Sequence, residues 1–304
     1  RMIDLVTGGC GFIGSHIVEA LLARGRKVRV VDNLSTGYQH NIQGLDVELL
    51  LGDISDIEVA QQACIGVENV YHLAARPSVP YSIEHTKKAY RANHQSTLSL
   101  IEAASAQDVK SIVFSSSSAV YGDEPTLPKT EDCSLAPMSP YAEHKLAGEM
   151  ALAASSLSTV ALRYFNVFGP KQDPSSPYSG VISLFSKWAH DKTPANIFGD
   201  GLQTRDFVFV DDVVNANLNA TDYALANHGS AVINIATGKA ITVLQLWKDI
   251  CEICQFDGAP VNYHPGRDGD IRDSVADISR AQQLLDYSAQ TSLLEGLRHC
   301  VSVD

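Results

Sequence analysis

Tyr141 and Lys145 stand four residues apart in the run Ser139-Pro140-Tyr141-Ala142-Glu143-His144-Lys145, which reads as the start of a helix, so both side chains project from one face. A phenol with an ordinary pKa near 10 is only about one part in a thousand ionised at neutral pH, so a general base made from it needs help. A neighbouring ammonium favours the phenolate and supplies part of that help. The spacing by itself equally describes a surface tyrosine packed on a lysine stem. It gains weight from two patterns upstream. Ser115-Ser116-Ser117-Ser118 ends an apolar run, where one hydroxyl could hydrogen-bond to a reacting oxygen while the others cap or turn the chain. Nearer the N-terminus, Thr7-Gly8-Gly9-Cys10-Gly11-Phe12-Ile13-Gly14 joins a strand pattern to a helix pattern.

In that segment Gly8, Gly11 and Gly14 serve a tight turn, a close approach to a pyrophosphate and a close helix–sheet contact, with the helix N-terminus facing the phosphates. Three glycines could merely shape a turn. Here, however, a second strand ends in Asp32, about eighteen residues beyond Gly14, where a carboxylate can accept from the hydroxyls of an adenosine ribose. Asp32 would repel a 2′-phosphate, and Asn33-Leu34-Ser35 offers no arginine to bind one, so the pattern favours NAD over NADP. The positive nicotinamide of NAD would then join the Lys145 ammonium in lowering the Tyr141 pKa. Asp53, after the third strand, either accepts from the adenine amino group or caps the helix that follows.

Stepping from these residues to the elements that carry them, short apolar runs at Ile3 to Val6, Val28 to Val31, Val47 to Leu50, Val70 to Leu73, Ile112 to Ser115 and Val160 to Tyr164 alternate with helical stretches. The helical stretches fall near 12–24, 82–106 and 140–154. Such alternation means βαβ units and a Rossmann-type, doubly wound parallel sheet, an α/β fold whose ligands lie at the carboxyl ends of the strands. After Gly169-Pro170 the pattern loosens into Pro- and Ser-rich loops with helices near 180–190, 211–224 and 242–255. The expected division is a dinucleotide-binding domain over 1–165 and a smaller C-terminal α/β substrate lobe over 166–304, with segments of 200–240 returning to the first sheet.

The chain has 304 residues, 45% hydrophobic and 19% charged, which is ordinary globular composition. Its 23 Lys and Arg against 35 Asp and Glu give a net charge of −12. A surface so acidic repels nucleic-acid backbones and anionic lipid, and any anionic ligand must be drawn by local arginines and backbone N–H groups. With no apolar stretch of membrane-spanning length, the expectation is a soluble, cytoplasmic protein. The six cysteines are scattered and read as reduced thiols; Cys251 and Cys254 form a CxxC without a partner pair, inside a helix pattern with Leu246, Trp247 and Ile250, and read as buried small residues rather than a metal site.

Taken together, TGGCGFIGSH, VDNLSTG, HLAA at 72–75, SSSSAVYGD at 115–123, SPYAEHK at 139–145, LRYFNVFGP at 162–170, GDGLQTRDFVFVDDV at 199–213 and PGRDGDIRDSVAD at 265–277 resemble, nearly end to end, the extended short-chain dehydrogenase/reductases. Within these the chain is most similar to the nucleotide-sugar 4-epimerases, typified by UDP-galactose and UDP-N-acetylglucosamine 4-epimerases. The resemblance implies that Tyr141 is the base, Lys145 bridges it to the nicotinamide ribose, and Ser117 is the hydroxyl partner, with Ser116 the alternative one register away. It extends the NAD contacts to Phe12, Ile13, Asn33, Ser35, Thr36, Gly37, Ile54, Leu73, Ala74, Ala75 and Asn93. It implies a reaction without net redox change: C4 is oxidised to a 4-ketose, which turns over and is reduced on its other face. The related dehydratases place Asp-Glu after the Ser or Thr, and related decarboxylases place Glu before Val-Tyr-Gly; Ser118 and Ala119 stand here, so no acid is available to drive elimination.

For the substrate, the resemblance assigns Asn166, Arg205 and Arg267 to the UDP moiety, where an arginine fork suits phosphate oxygens, with Asp270 as a brace or ribose contact. Seven residues beyond Arg267, where a bulky tyrosine accompanies plain hexoses, stands Ser274. The smaller side chain leaves room for an N-acetyl group and points to UDP-N-acetylglucosamine and UDP-N-acetylgalactosamine, without excluding the smaller glucose and galactose. A uronic-acid 4-epimerase, and an NAD-binding regulatory protein without chemistry, are the other readings. The resemblance also implies a homodimer through the helices near 82–106 and 140–155, whose apolar faces equally suit internal core.

Overall fold

The alternation of apolar runs and helices becomes a seven-stranded parallel sheet in the computed structural model of the chain, which describes residues 3–173, 180–266 and 270–301. In chain order the strands are β1 (Ile3–Thr7), β2 (Lys27–Asp32), β3 (Val47–Leu51), β4 (Val67–His72), β5 (Ser111–Ser117), β6 (Ser158–Tyr164), β7 (Asn166–Phe168), β8 (Ala195–Phe198), β9 (Thr204–Phe209), β10 (Ser230–Ile235), β11 (Ala240–Thr242) and β12 (Val261–His264). The helices are α1 (Phe12–Ala23), α2 (Ile57–Cys64), α3 (Val79–Glu84), α4 (Thr86–Tyr90), α5 (Ser96–Ala106), α6 (Pro140–Ala153), α7 (Val181–His190), α8 (Val210–Ala226), α9 (Val243–Ile253), α10 (Ser279–Leu285) and α11 (Leu293–Val301).

The large sheet runs β3-β2-β1-β4-β5-β6-β10, so its winding reverses between β1 and β4 and opens a crevice at their carboxyl ends. Successive side chains of each strand enter two apolar layers. Val6, Val30, Tyr71 and Val113 meet α1 and α8, whereas Leu5, Val31, Val70, Ile112 and Phe114 meet α2, α5 and α6. Burial on both faces is why these strands read as near-continuous apolar runs. The chain returns from the second lobe twice over: α8 packs on β5 and β6, and β10 extends the large sheet beside β6.

The second lobe carries a three-stranded sheet, β11-β9-β7, and a parallel pair, β8 with β12. Helices α7, α9 and α11 pack together over it. Cys251 is buried in that core beside Leu246, Trp247 and Ile250.

The helical stretch expected as one element over 82–106 is four. Ser78 caps α3 by accepting from Tyr81 N at 3.1 Å, His85 leaves helical geometry at φ −127°, and Arg91–Gln95 forms a π-turn between α4 and α5. A π-turn inserts a residue and re-aims its side chains, commonly beside a functional site.

Candidate active site

Local backbone demands shape the loop between β1 and α1. Gly8 adopts φ +70°, and a Cβ there would lie 2.9 Å from the Ala74 nitrogen; at Gly14 a Cβ would lie 2.2 Å from the Gly8 carbonyl oxygen. Only glycine lets the loop close this tightly at the helix N-terminus. Asp32, at the end of β2, steadies it by accepting from Cys10 N at 2.9 Å, and it also accepts from Leu34 N at 2.8 Å in the turn that follows β2. Burial pushes this carboxyl above the ordinary range, against the pull of those hydrogen bonds. Two of the carboxylate's roughly four lone-pair positions are used, which leaves acceptors for a ribose diol.

Below the loop, Thr7 Oγ1 accepts from Leu73 N and Ala74 N, both at 3.1 Å, and lies 2.7 Å from His72 Nδ1, while His72 Nε2 lies 3.0 Å from Thr97 Oγ1. With two N–H groups already donating to it, the Thr7 hydroxyl gives its own proton to Nδ1, so His72 carries hydrogen on Nε2 and is neutral. Burial, with Lys145 adding to it, pushes the imidazole down to about 3. His72 thus braces the β1–β4 crevice without placing charge beneath it, a role that the HLAA motif alone did not reveal.

Above this floor lies a cleft with about 1100 Å³ of empty space, open to solvent. Its wall brings together Gly8, Gly11, Phe12, Ile13, Gly14, Asp32, Asn33, Ser35, Thr36, Gly37, Asp53, Ile54, Leu73, Ala74 and Ala75 with Tyr141 and Lys145. Ser115, one of the four candidate serines, joins the wall, as do Pro77, Ala92 and Ser96, which carry no signal in the sequence. Asn93 differs: the π-turn buries it behind the wall, where Oδ1 accepts from Arg76 N at 2.6 Å and Nδ2 donates to Arg76 O at 3.3 Å. Asp53 is not the cap of α2, whose N-cap is Asp56. Its Oδ1 accepts from Ser55 N and Oγ at 2.9 and 2.7 Å, and although burial opposes ionisation, these bonds and Arg91 hold the carboxyl below its usual range.

Ser139 caps α6 by accepting from Ala142 N at 3.2 Å, and Pro140 begins the helix, so Tyr141 and Lys145 enter the cleft from its first turns. Tyr141 is half-buried; burial pushes its phenol up, and the nearby Ser117 hydroxyl pulls it back. Lys145 lies 5.9 Å from the Tyr141 ring centre and donates to the Ser115 carbonyl at 2.6 Å. Burial pushes its ammonium down to about 8, against the Glu149 carboxylate. Ser117 is therefore the serine beside the phenol. Ser116 is corrected as its alternative: it is 2% exposed, and its hydroxyl donates to Glu149, because neighbouring strand residues face opposite sides.

Ser117 is in register with Tyr164 on β6, and Asn166 opens β7 two residues later, so Asn166 lies just beyond the same strand ends. β7 pairs with β9 through Asn166 and Phe207, and Arg205 stands two residues before Phe207. One arm of the Arg205 fork donates to the carbonyls of Thr204 and Arg272 at 2.7 and 3.3 Å. Burial lowers its pKa, against the carboxylates of Asp270 and Asp273. Ser274 N donates to Thr204 O at 3.2 Å, which brings half-buried Ser274 beside Arg205; Asp270 is exposed. Arg267 lies outside the described residues.

A model of the NAD-dependent epimerase/dehydratase family matches residues 5–236. The UDP-glucose 4-epimerase of Mycolicibacterium smegmatis is 37% identical over 310 residues, covering 99% of this chain and 97% of the relative. The crystal structure of UDP-glucose 4-epimerase from Thermotoga maritima with UDP-glucose superposes with a TM-score of 0.92 at 38% identity, over 99% of this chain and 97% of that one. UDP-N-acetylglucosamine 4-epimerase from Methanobrevibacter ruminantium, in complex with UDP-N-acetylmuramic acid, matches equally, with a TM-score of 0.92 at 37% identity and the same coverage. With its parallel sheet, glycine loop and Tyr–Lys pair at the crevice, the chain belongs to the NAD-dependent epimerase/dehydratase family, as a nucleotide-sugar 4-epimerase that works with NAD.

Proposed function

We propose that this enzyme interconverts UDP-N-acetylglucosamine and UDP-N-acetylgalactosamine. The observation that carries the choice of sugar is Ser274: a hydroxymethyl side chain stands at the Thr204–Arg205 end of β9, at the position where the resemblance puts a bulky tyrosine beside the sugar in enzymes of plain hexoses. A void discriminates less than a clash, so UDP-glucose and UDP-galactose remain a second substrate pair, in keeping with the relatives' names.

In this reading NAD, when bound, supplies the reversible acceptor for the C4 hydrogen. Tyr141 takes the C4 hydroxyl proton as phenolate and later returns it. Ser117, beside the phenol, steadies the same oxygen. Lys145, held by the Ser115 carbonyl, places positive charge beside the phenol and offsets the burial that opposes its ionisation. Asn166, Arg205 and Arg267 hold the diphosphate and nucleotide, the two arginines supplying the positive charge, while the 4-ketose turns within a loosely fitting sugar site. Epimerisation at C4 needs that combination, a tight grip at one end and freedom at the other.

Val79, Ile83, Tyr90 and Met150 are exposed on α3, α4 and α6, and they suit burial against a second copy of the chain; light scattering of the purified protein tests the dimer. The substrate is tested by incubating purified protein with UDP-N-acetylglucosamine and, in parallel, UDP-glucose, without added cofactor. Conversion of the acetylated sugar supports the reading, and conversion of UDP-glucose alone overturns the inference from Ser274.

A further inference from the structure

The end of β5 meets α6 through three consecutive residues, one by its carbonyl and two by their hydroxyls. The Ser115 carbonyl accepts from Lys145 Nζ at 2.6 Å, the Ser116 hydroxyl donates to Glu149 Oε1, and the Ser117 hydroxyl lies near enough to the Tyr141 phenol to favour its ionisation. Tyr141, Lys145 and Glu149 are spaced i, i+4, i+8 and form one stripe of the helix. We propose that Glu149 is a positioning residue for the epimerase: with Ser116 and Arg163 it locks α6 on the end of β5 in the register that brings Tyr141 to Ser117 and Lys145 to Ser115. The proposal rests on the catalytic roles given above to Tyr141 and Lys145.

Glu149 and Arg163 are both 4% exposed, and they form a two-point pair, Nε to Oε1 at 3.0 Å and Nη2 to Oε2 at 2.8 Å. Arg163 is the β6 neighbour of Ser116 in the sheet. Its Nη1 donates to the Tyr121 hydroxyl at 3.0 Å, which donates to Asn234 Oδ1 on β10 at 2.6 Å. Buried ion pairs add little net stability, since desolvation offsets attraction, but breaking one is costly. A slip of α6 along β5 would leave both charges buried and unpaired, so the pair selects a single register. Gly148 permits the close approach this needs: a Cβ there would lie 2.8 Å from the Phe114 ring.

The carboxylate also acts on charge. Burial lowers the Lys145 ammonium to about 8 and Glu149 opposes that shift. Of the other groups facing this stripe, His72 on β4 is neutral, Tyr121 is pushed up by burial to about 12, and Arg163 offsets part of the Glu149 charge. His94 on the π-turn stacks on His144 of α6, and burial lowers both. Glu149 is thus the anion on this stripe that favours protonated Lys145. Removing its charge while Arg163 stays lowers the Lys145 pKa further, and the ammonium is lost at lower pH.

Glu149→Gln and Ser116→Ala, made in the full-length protein with NAD bound, test the proposal. Glu149→Gln is expected to lower kcat about 10- to 100-fold with KM nearly unchanged, and to move the alkaline limb of the kcat profile to lower pH. Ser116→Ala leaves the ion pair in place and is expected to lower kcat about two- to tenfold. If Glu149→Gln does not fold, Ser116→Ala decides alone. Wild-type kcat and pH profile in the folded variants overturn the proposal, as does a melting temperature that falls while both stay unchanged. Tyr141→Phe separates the two levels: retained turnover there removes the catalytic reading itself, whereas an inactive Tyr141→Phe beside an unchanged Glu149→Gln removes only the role of Glu149.

Discussion

Around the glycine loop the surface offered to a ligand is largely main chain: a helix N-terminus, glycines without Cβ atoms, and an aspartate tied to the loop through the Cys10 N–H. Around the β7–β9–β11 sheet it is side chains, Asn166, Arg205 and Ser274, brought together by pairing between segments far apart in sequence. The first construction is rigid and grips a ligand common to many reactions. The second can change one side chain at a time without disturbing the glycine loop, which suits the choice of sugar proposed for it. Tyr141 and Lys145 line the cleft of the first region, and Asn166 follows β6, which is in register with the strand end carrying Ser117, so the proposed reaction draws on both regions.

Substitutions in the two regions should therefore fail differently. Gly14→Ala drives a methyl into the Gly8 carbonyl and is expected to give protein without bound NAD and without activity, read from absorbance of the released cofactor. Retained NAD would show that the loop has more play than its geometry allows. Tyr141→Phe is expected to lower kcat about 10²- to 10⁴-fold with NAD content unchanged. Arg205→Gln should raise KM for every UDP-sugar about 10- to 100-fold, the worth of a charge-assisted hydrogen bond, with NAD content untouched. A change in kcat alone would move Arg205 from gripping the nucleotide to the reacting centre. Ser274→Tyr should shift the ratio of kcat/KM values about tenfold or more toward plain hexoses, and an unchanged ratio would sever Ser274 from the sugar.

The same contrast explains what the sequence discloses. Gly8, Gly11, Gly14 and Asp32 are legible because their demands are local and their spacing is fixed by one βαβ unit. The break of the 82–106 stretch is not, since neither His85 nor Arg91–Gln95 carries a glycine or proline to mark an interruption, and its consequence, Asn93 behind the wall, stays hidden with it. The four serines cannot be ordered from sequence, because period-2 alternation divides Ser115 and Ser117 from Ser116 without saying which side is the cleft. Glu149 with Arg163, and Thr7 with His72, are long-range polar pairs, which form only when a fold brings charge or hydrogen-bonding need together.

The central claim is that the chain holds its own NAD and works at C4 of an acetylated UDP-sugar without exchanging the C4 hydrogen with water. Proton NMR in D₂O of UDP-N-acetylglucosamine with the purified enzyme, no cofactor added, tests it directly. The account predicts a growing galacto anomeric signal with the C4 proton retained in both sugars. Deuterium at C4, or no conversion even after NAD is supplied, would contradict it.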